Sequence, residues 1–353
     1  MKLILLGDTH FDINNGNADI YNIQKRMFTE QLFPYMKKHD IKDIFQFGDF
    51  THNRTTLSLN VQHNLKVDIF DYIEENDLQL YTLIGNHDIY YKNTLDVFSL
   101  EIFEKAYKDN LTVIKENKLM KFGSLNIQVV PWLLKDEDVN VHKKADMIFG
   151  HFEIKDYNVS KSYKATHGLE ADKFDVIVYS GHYHLKQSSG LINYLGTPYQ
   201  LDWGDYNETK GFYVLDTETS EVEFIENNIM KHLKVYINIE DKTFTINGFN
   251  EIIEDVKINK STDFSIFKDN KIKIYASKEL AVVKTFYENV NDVALKCNVE
   301  ILKENDVLDT DEILTKVKDY SIEKSIIEVV NEDDRNVLHE LISDARDLMN
   351  DSV

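Results

Sequence analysis

Seven residues carry side chains suited to holding metal ions: Asp8, His10, Asp49, Asn86, His151, His182 and His184. Metal-assisted hydrolysis of a phosphate ester needs two divalent ions roughly 3.5–4 Å apart, a ligand shared between them, and a bound water acidic enough to attack. Mixed oxygen and imidazole donors suit manganese, iron or zinc better than calcium or magnesium. Asp8 and His10 stand two apart, so from a strand end both can reach one centre. Asp49 offers a carboxylate able to coordinate two ions, and Asn86 a neutral oxygen. His151, His182 and His184 complete the set, with two Mn2+ ions as the expected cofactors.

Each of these residues follows a short apolar run. Residues 3–6 precede Gly7-Asp8, 44–47 precede Gly48-Asp49, and 81–84 precede Gly85-Asn86-His87-Asp88. Residues 147–149 precede Gly150-His151, and 176–179 precede Ser180-Gly181-His182. Runs of this length between turn residues read as buried strands. Helical patterns lie between them. Leu57, Val61, Leu65, Ile69 and Ile73 recur every four residues on one helix face. Ile23, Met27 and Met36 suggest an earlier helix that Pro34 would kink or divide. Alternating strands and helices predict a layered α/β core with polar residues at strand ends.

The pattern of polar strand ends stops near residue 230. Runs at 235–239, 243–246, 271–275 and 298–302 predict strands and 280–295 a helix, together a small α+β unit. The remaining chain predicts helices at 312–330 and after 331, the last with an apolar stripe of Val337, Leu338, Leu341, Ile342, Ala345, Leu348 and Met349. The expected division is 1–230, 231–305 and 306–353.

Composition narrows the class. The 353 residues exceed the usual size of one domain, and 42% apolar content with 20 Phe and 19 Tyr supports a real core. No apolar run is long enough to span a bilayer, and residues 3–6 are too short for a signal-peptide core. Cys297 stands alone, which excludes an intramolecular disulfide and any cysteine-cluster metal site. These features predict a cytoplasmic protein. The net charge of −21 argues against a passive nucleic-acid coat. It leaves room for an enzyme acting on nucleic acid, because bound metal supplies local positive charge. From Asp306 onward 14 Asp or Glu stand against 5 Lys or Arg, so the tail carries much of the acidity.

Gly-Asp-Thr-His, Gly-Asp-Phe-Thr-His, Gly-Asn-His-Asp, Gly-His and Gly-His-Tyr-His occur in this order over residues 1–200. In that order the blocks resemble those of the calcineurin-like metallophosphoesterases. His52 stands where the protein-phosphatase branch has a carboxylate, and Gly48-Asp49-Phe50-Thr51-His52-Asn53-Arg54 is similar instead to the SbcD-type repair nuclease branch. Thr166-His167-Gly168-Leu169-Glu170, Tyr194-Leu195-Gly196-Thr197-Pro198 and Gly211-Phe212 look most like the phage recombination endonuclease subunits of that branch.

The resemblance implies an αββα sandwich, a DNA-capping accessory domain, and terminal helices docking on an SbcC-type, SMC-like ABC ATPase. It implies a 3'-5' exonuclease and endonuclease acting on single-stranded DNA and double-stranded ends by metal-bound hydroxide, within a homodimer. Asp8, His10, Asp49 and His184 would hold one ion, and Asp49, Asn86, His151 and His182 the other. His87 would contact the phosphate and assist the leaving group, His52 would orient the strand, and Asp88 would fix the His87 ring. A stand-alone phosphatase or phosphodiesterase for a small metabolite, and a non-catalytic scaffold on the same fold, are the alternatives. His39, His63, His142, His232 and His339 are expected to be structural or exposed, whereas the context of His167 suggests a place beside the site.

Overall fold

The computed structural model describes residues 1–135, 139–161, 163–248, 252–278 and 281–301. The chain divides into two compact units, Met1–Glu300 and Ile301–Val353. All that follows concerns the first. The helices expected at 312–330 and 337–349 lie outside the described residues.

Two six-stranded sheets form the body. The first runs β14 (Val222–Glu226), β13 (Gly211–Asp216), β1 (Lys2–Leu6), β2 (Asp43–Gln46), β3 (Gln79–Leu83), β4 (Leu111–Ile114). The second runs β11 (Gln187–Ser189), β12 (Ile192–Tyr194), β10 (Ile177–Gly181), β7 (Met147–His151), β6 (Leu125–Val130), β5 (Lys118–Phe122). In both, the central strands are parallel and the added edge strands antiparallel. Leu3, Ile4, Leu5 and Leu6 are fully buried because both faces of β1 are covered. Leu3 and Leu5 meet Phe45, Phe47, Ile127, Val129 and Phe149 between the sheets. Ile4 and Leu6 join Ile44, Leu80, Val61 and Phe70 beneath the helices.

Those helices depart from the ideal α-helix in an informative way. Residues 59–75 form α-helix at Leu59–Leu65 and Asp71–Glu75, joined by a π-helical stretch at Lys66–Phe70. An apolar period of four residues drifts around a 3.6-residue helix; the wider stretch absorbs the drift and keeps Val61, Leu65, Ile69 and Ile73 buried. Likewise the helix over 18–39 is not divided at Pro34. It widens at Met27–Leu32 and resumes as Phe33–His39, which accommodates the proline.

The outer face of the second sheet is covered differently. Phe152, Ile154, Tyr157, Leu169 and Phe174 cover Ile148 and Val178. They stand in the loops flanking a small hairpin (β8, Asn158–Ser160, with β9, Tyr163–Lys164) and a 3-10 turn at Ala171–Lys173. The fourth layer therefore contains no α-helix among the described residues.

A third sheet runs β17 (Ile252–Lys257), β16 (Thr243–Asn247), β15 (His232–Asn238), β18 (Lys271–Ala276), β19 (Lys296–Ile301). The helix Ala281–Asn291 contributes Val283, Phe286 and Val290 to a core with Leu233, Val235, Phe244, Ile272 and Ile274. Among the described residues no helix is long and apolar enough to cross a membrane.

Candidate metal centre

Strands β1, β2 and β3 are neighbours in one sheet, and β7 and β10 are neighbours in the other. Their carboxyl ends bring five loops together at one edge of the sandwich. All seven residues singled out as metal ligands stand at or just beyond those ends. Two glycines let the loops close. A Cβ on Gly48, whose φ is +92°, would lie 2.5 Å from His151 Nδ1, and one on Gly85 would lie 2.2 Å from Asp49 Oδ1.

The side chains gather as two groups. Asp8, His10 and His184 form one, with His10 Nε2 and His184 Nε2 2.8 Å apart. Asp49, His151 and His182 form the other, and Asn86 Oδ1 lies 3.1 Å from His151 Nε2 and 3.0 Å from His182 Nδ1. Asp49 Oδ2 is 3.8 Å from His10 Nε2 and 3.5 Å from His151 Nε2, so it reaches both.

Three of these residues hold left-handed backbone: His10 (φ 45°), Asp49 (φ 51°) and His182 (φ 87°). Each such conformation costs about 1–3 kcal/mol and persists only where the surroundings enforce it. The buried Gln24 amide donates to the carbonyls of Thr9 (2.9 Å) and His10 (3.1 Å), and the buried Tyr199 hydroxyl donates to the same Thr9 carbonyl. The His10 amide donates to the Asp49 carbonyl at 3.0 Å. The His182 amide donates to Asp8 Oδ2 at 2.9 Å, and the His87 amide to Asp49 Oδ1 at 2.8 Å.

Electrostatics divide the proposed ligands. Burial, with neighbouring imidazoles, takes His10 well below the ordinary histidine range and His182 down to about 3. Burial also lowers His184. These rings are neutral, the form that ligates. His151 differs: burial opposes its charge, but Asp49 outweighs it and holds the ring up at about 9. Burial works against the Asp49 charge too, yet His151 and the other imidazoles keep this carboxyl well below its usual range. Burial raises the Asp8 carboxyl well above it, against His151 and with help from Asp49. Asp8 Oδ1 is enclosed and has no hydrogen-bond partner. An orphaned carboxylate oxygen facing imidazoles is what a cation would satisfy, so the donor set fits divalent ions.

Exonuclease subunit 1 of Enterobacteria phage T4 is 30% identical over 271 residues, covering 73% of this chain and 78% of that protein. This chain belongs to the SbcD-type branch of the calcineurin-like metallophosphoesterases. No family model matches it. A solved structure titled as a novel archaeal phosphodiesterase covers 64% of this chain and 100% of its own at 14% identity; its TM-score of 0.34 is too low to support likeness of fold. As a member of its family, this metallophosphoesterase is a metal-dependent phosphodiesterase of the nuclease type.

Beside the metallophosphoesterase centre, His52 and His87 stack with ring centroids 5.2 Å apart, and both lie near His10. His87 Nδ1 lies 2.7 Å from the His52 carbonyl. That is a correction for Asp88, which does not hold the His87 ring. Its carboxylate is taken up by the amides of Phe50, Thr51 and Gly85 and by the Thr51 hydroxyl, and so it ties the β2 loop to the β3 loop. His167 is exposed and joins neither group. His39, His63 and His142 are exposed, while His232 is buried against Gln200; His339 lies outside the described residues.

Sequence reasoning missed several braces. Lys210, almost fully buried, pairs with Asp205 at 2.6 Å and donates to the His184 carbonyl at 2.7 Å. Arg54 Nε donates to the Asn86 carbonyl at 2.7 Å. The Trp132 ring lies 5.1 Å from that of His182. Arg54 closes the block after Gly48, and Lys210 precedes Gly211-Phe212, so both had a sequence signal; Gln24, Asp205 and Tyr199 had none.

Proposed function

We propose that this metallophosphoesterase is a two-metal DNA nuclease with 3'-5' exonuclease and endonuclease activity. The observation that carries the reading is the place of Asp49, one carboxylate within 3.8 Å of His10 and 3.5 Å of His151 and thus common to both donor groups. Asp8, His10, Asp49 and His184 hold one ion, and Asp49, Asn86, His151 and His182 the other. Mixed carboxylate, amide and imidazole donors suit manganese, iron or zinc, and Mn2+ is the metal proposed. Bound ions supply Lewis-acid charge at the phosphate and make a water acidic enough to attack.

The chain's own residues do the positioning. His87 contacts the phosphate and donates a proton to the leaving oxygen. With Nδ1–H given to the His52 carbonyl, Nε2 is the working nitrogen, and the ring enters the step as the imidazolium, leaving it neutral once the Nε2 proton has passed to the leaving oxygen. His52, stacked on His87, orients the strand. Asp88 acts from behind by fixing the amides of Phe50, Thr51 and Gly85.

The phage relative is named as a subunit, which supports a partner for this chain too. That partner is an SbcC-type, SMC-like ATPase, bound through residues 306–353, with residues 231–305 capping the DNA over a core of residues 1–230. The enzyme works as a homodimer in the cytoplasm, that of the host if it is phage-encoded. The test is cleavage of end-labelled single- and double-stranded DNA with Mn2+, beside Asp49→Ala and a chromogenic phosphodiester. Metal-dependent cutting that Asp49→Ala lacks is expected. Dye hydrolysis without DNA cutting, even with the ATPase added, would overturn the nuclease in favour of a small-metabolite phosphodiesterase.

A further inference from the structure

The third sheet has one face sealed by a helix and one that stays half-buried. Leu233, Val235, Ile272 and Ile274 turn toward the helix Ala281–Asn291 and are buried. Lys234, Tyr236, Lys273 and Tyr275 alternate with them and point the other way. Parallel pairing sets Lys234 beside Lys273 and Tyr236 beside Tyr275. The two tyrosine rings stack, 5.1 Å apart with planes 16° from parallel.

A loop of the nuclease core extends this face. Lys234 Nζ lies over the Tyr206 ring at 4.3 Å, with Lys161 Nζ at 5.9 Å, and Lys273 Nζ lies over Trp203 at 4.9 Å. All four rings are half-buried rather than sealed in a core. Glu208 and Glu300 answer Lys161 and Lys273 at 3.2 and 3.1 Å, whereas Lys234 has no ion-pair partner among the described residues. Burial, with Lys273 and Lys161 close by, brings the Lys234 amine down to about 8, a state that a nearby anion would reverse. The same loop reaches the metal centre: Asp205, between Trp203 and Tyr206, pairs with the Lys210 that holds the His184 carbonyl.

A chain of net charge −21 has gathered three lysines over the rings of Trp203 and Tyr206, next to the stacked pair Tyr236 and Tyr275 of the sheet. Rings interleaved with lysines suit unpaired nucleic acid, whose bases stack on the rings while phosphates meet the ammonium groups. Paired DNA keeps its bases stacked internally and gains little from such rings. We propose that the face formed by Trp203, Tyr206, Lys234, Tyr236, Lys273 and Tyr275 binds an unpaired DNA strand and leads it to the metal centre. This inference rests on the nuclease reading for its substrate.

The test measures binding apart from cutting. Anisotropy of labelled oligothymidylate, and of a blunt duplex of equal length, is recorded on the full chain in EDTA. Tyr236→Leu/Tyr275→Leu keeps apolar area on the sheet but removes the rings. Oligothymidylate affinity should fall about ten-fold or more, with duplex affinity much less affected. Hydrolysis of the chromogenic phosphodiester with Mn2+ should stay at the wild-type rate. Lys234→Gln should weaken oligothymidylate binding and flatten its salt dependence. Unchanged oligothymidylate affinity in the double variant would overturn the inference. Equal losses for oligothymidylate and duplex would overturn it too. Wild-type protein that hydrolyses the dye but cuts no DNA counts against the nuclease reading, and the binding comparison still decides this one.

Discussion

At the metal centre every proposed ligand stands at or beyond a strand end, and three of them hold left-handed backbone. On the third sheet, Lys234, Tyr236, Lys273 and Tyr275 stand on regular strands in direct register, with no strained backbone at any of them. The difference follows from what each must do. Converging donors have to approach from several directions, which alternate positions on one strand cannot provide. Loops provide it, but only when buried polar groups such as Gln24, Asp88 and Lys210 hold their carbonyls and amides. A face that receives an extended strand needs only regular spacing, and the pleat supplies that without braces.

Three changes would break or sharpen this contrast. His87→Ala removes a working group but no proposed ligand or brace. Cleavage should slow by about 10²–10⁴-fold with bound metal unchanged; metal loss in elemental analysis would make His87 a ligand instead.

Lys210→Met removes a brace. It leaves Asp205 buried and unpaired, and should lower the unfolding free energy of the metal-free protein by about 3–5 kcal/mol in urea titration. The companion Lys210→Met/Asp205→Leu should recover most of that stability. It should still bind Mn2+ about 10–100-fold more weakly by calorimetry, because the His184 carbonyl has lost its anchor. Wild-type affinity in the double variant would show that this loop holds its shape unaided.

The smallest effect belongs to His232, which starts the third sheet and packs edge-on against Trp203 but is itself neither a proposed ligand nor a stacking ring. Burial, with Lys271 nearby, lowers its imidazole to about 3 from an ordinary 6.5, so the folded protein keeps it neutral. Its share of stability is complete above about pH 6.5 and drains as pH falls from there toward about 3. His232→Asn should flatten that part of the stability profile, by on the order of a few kcal/mol at the acid end, in melts between pH 7 and 4. An identical pH profile would show that the histidine carries no part of it.

The strands bearing the metal-centre residues were legible because both faces of each sheet are covered. Burial on both sides leaves unbroken apolar runs such as Leu3-Ile4-Leu5-Leu6, and the turn residues after them stand out. Strands β11, β12 and β14 gave little signal, being short or half-exposed. The period-four stripe from Leu57 to Ile73 marked a helix, but the stripe alone did not show that the drift would be met by a π-helical stretch. The helix-free fourth layer was also unreadable, since Phe152, Tyr157 and Phe174 are spaced by no regular period. Among site residues, the metal-binding types announced themselves by chemistry. Gln24 and Tyr199 act through backbone carbonyls, and no spacing rule places a glutamine against a loop.

The order in which the first sheet is assembled has a further consequence, for synthesis. Its parallel strands end at Ile114, the whole second sheet follows between Lys118 and Tyr194, and only then does β13 arrive to cover the open side of β1. Until Gly211–Asp216 leaves the ribosome, β1 presents an unpaired edge made of the most apolar stretch of the amino terminus. A fragment stopping short of Gly211 would carry every proposed metal ligand and still be prone to aggregate. The ligand-bearing segment is therefore not a module that can be cut free: the last two strands of its first sheet are written after its chemistry.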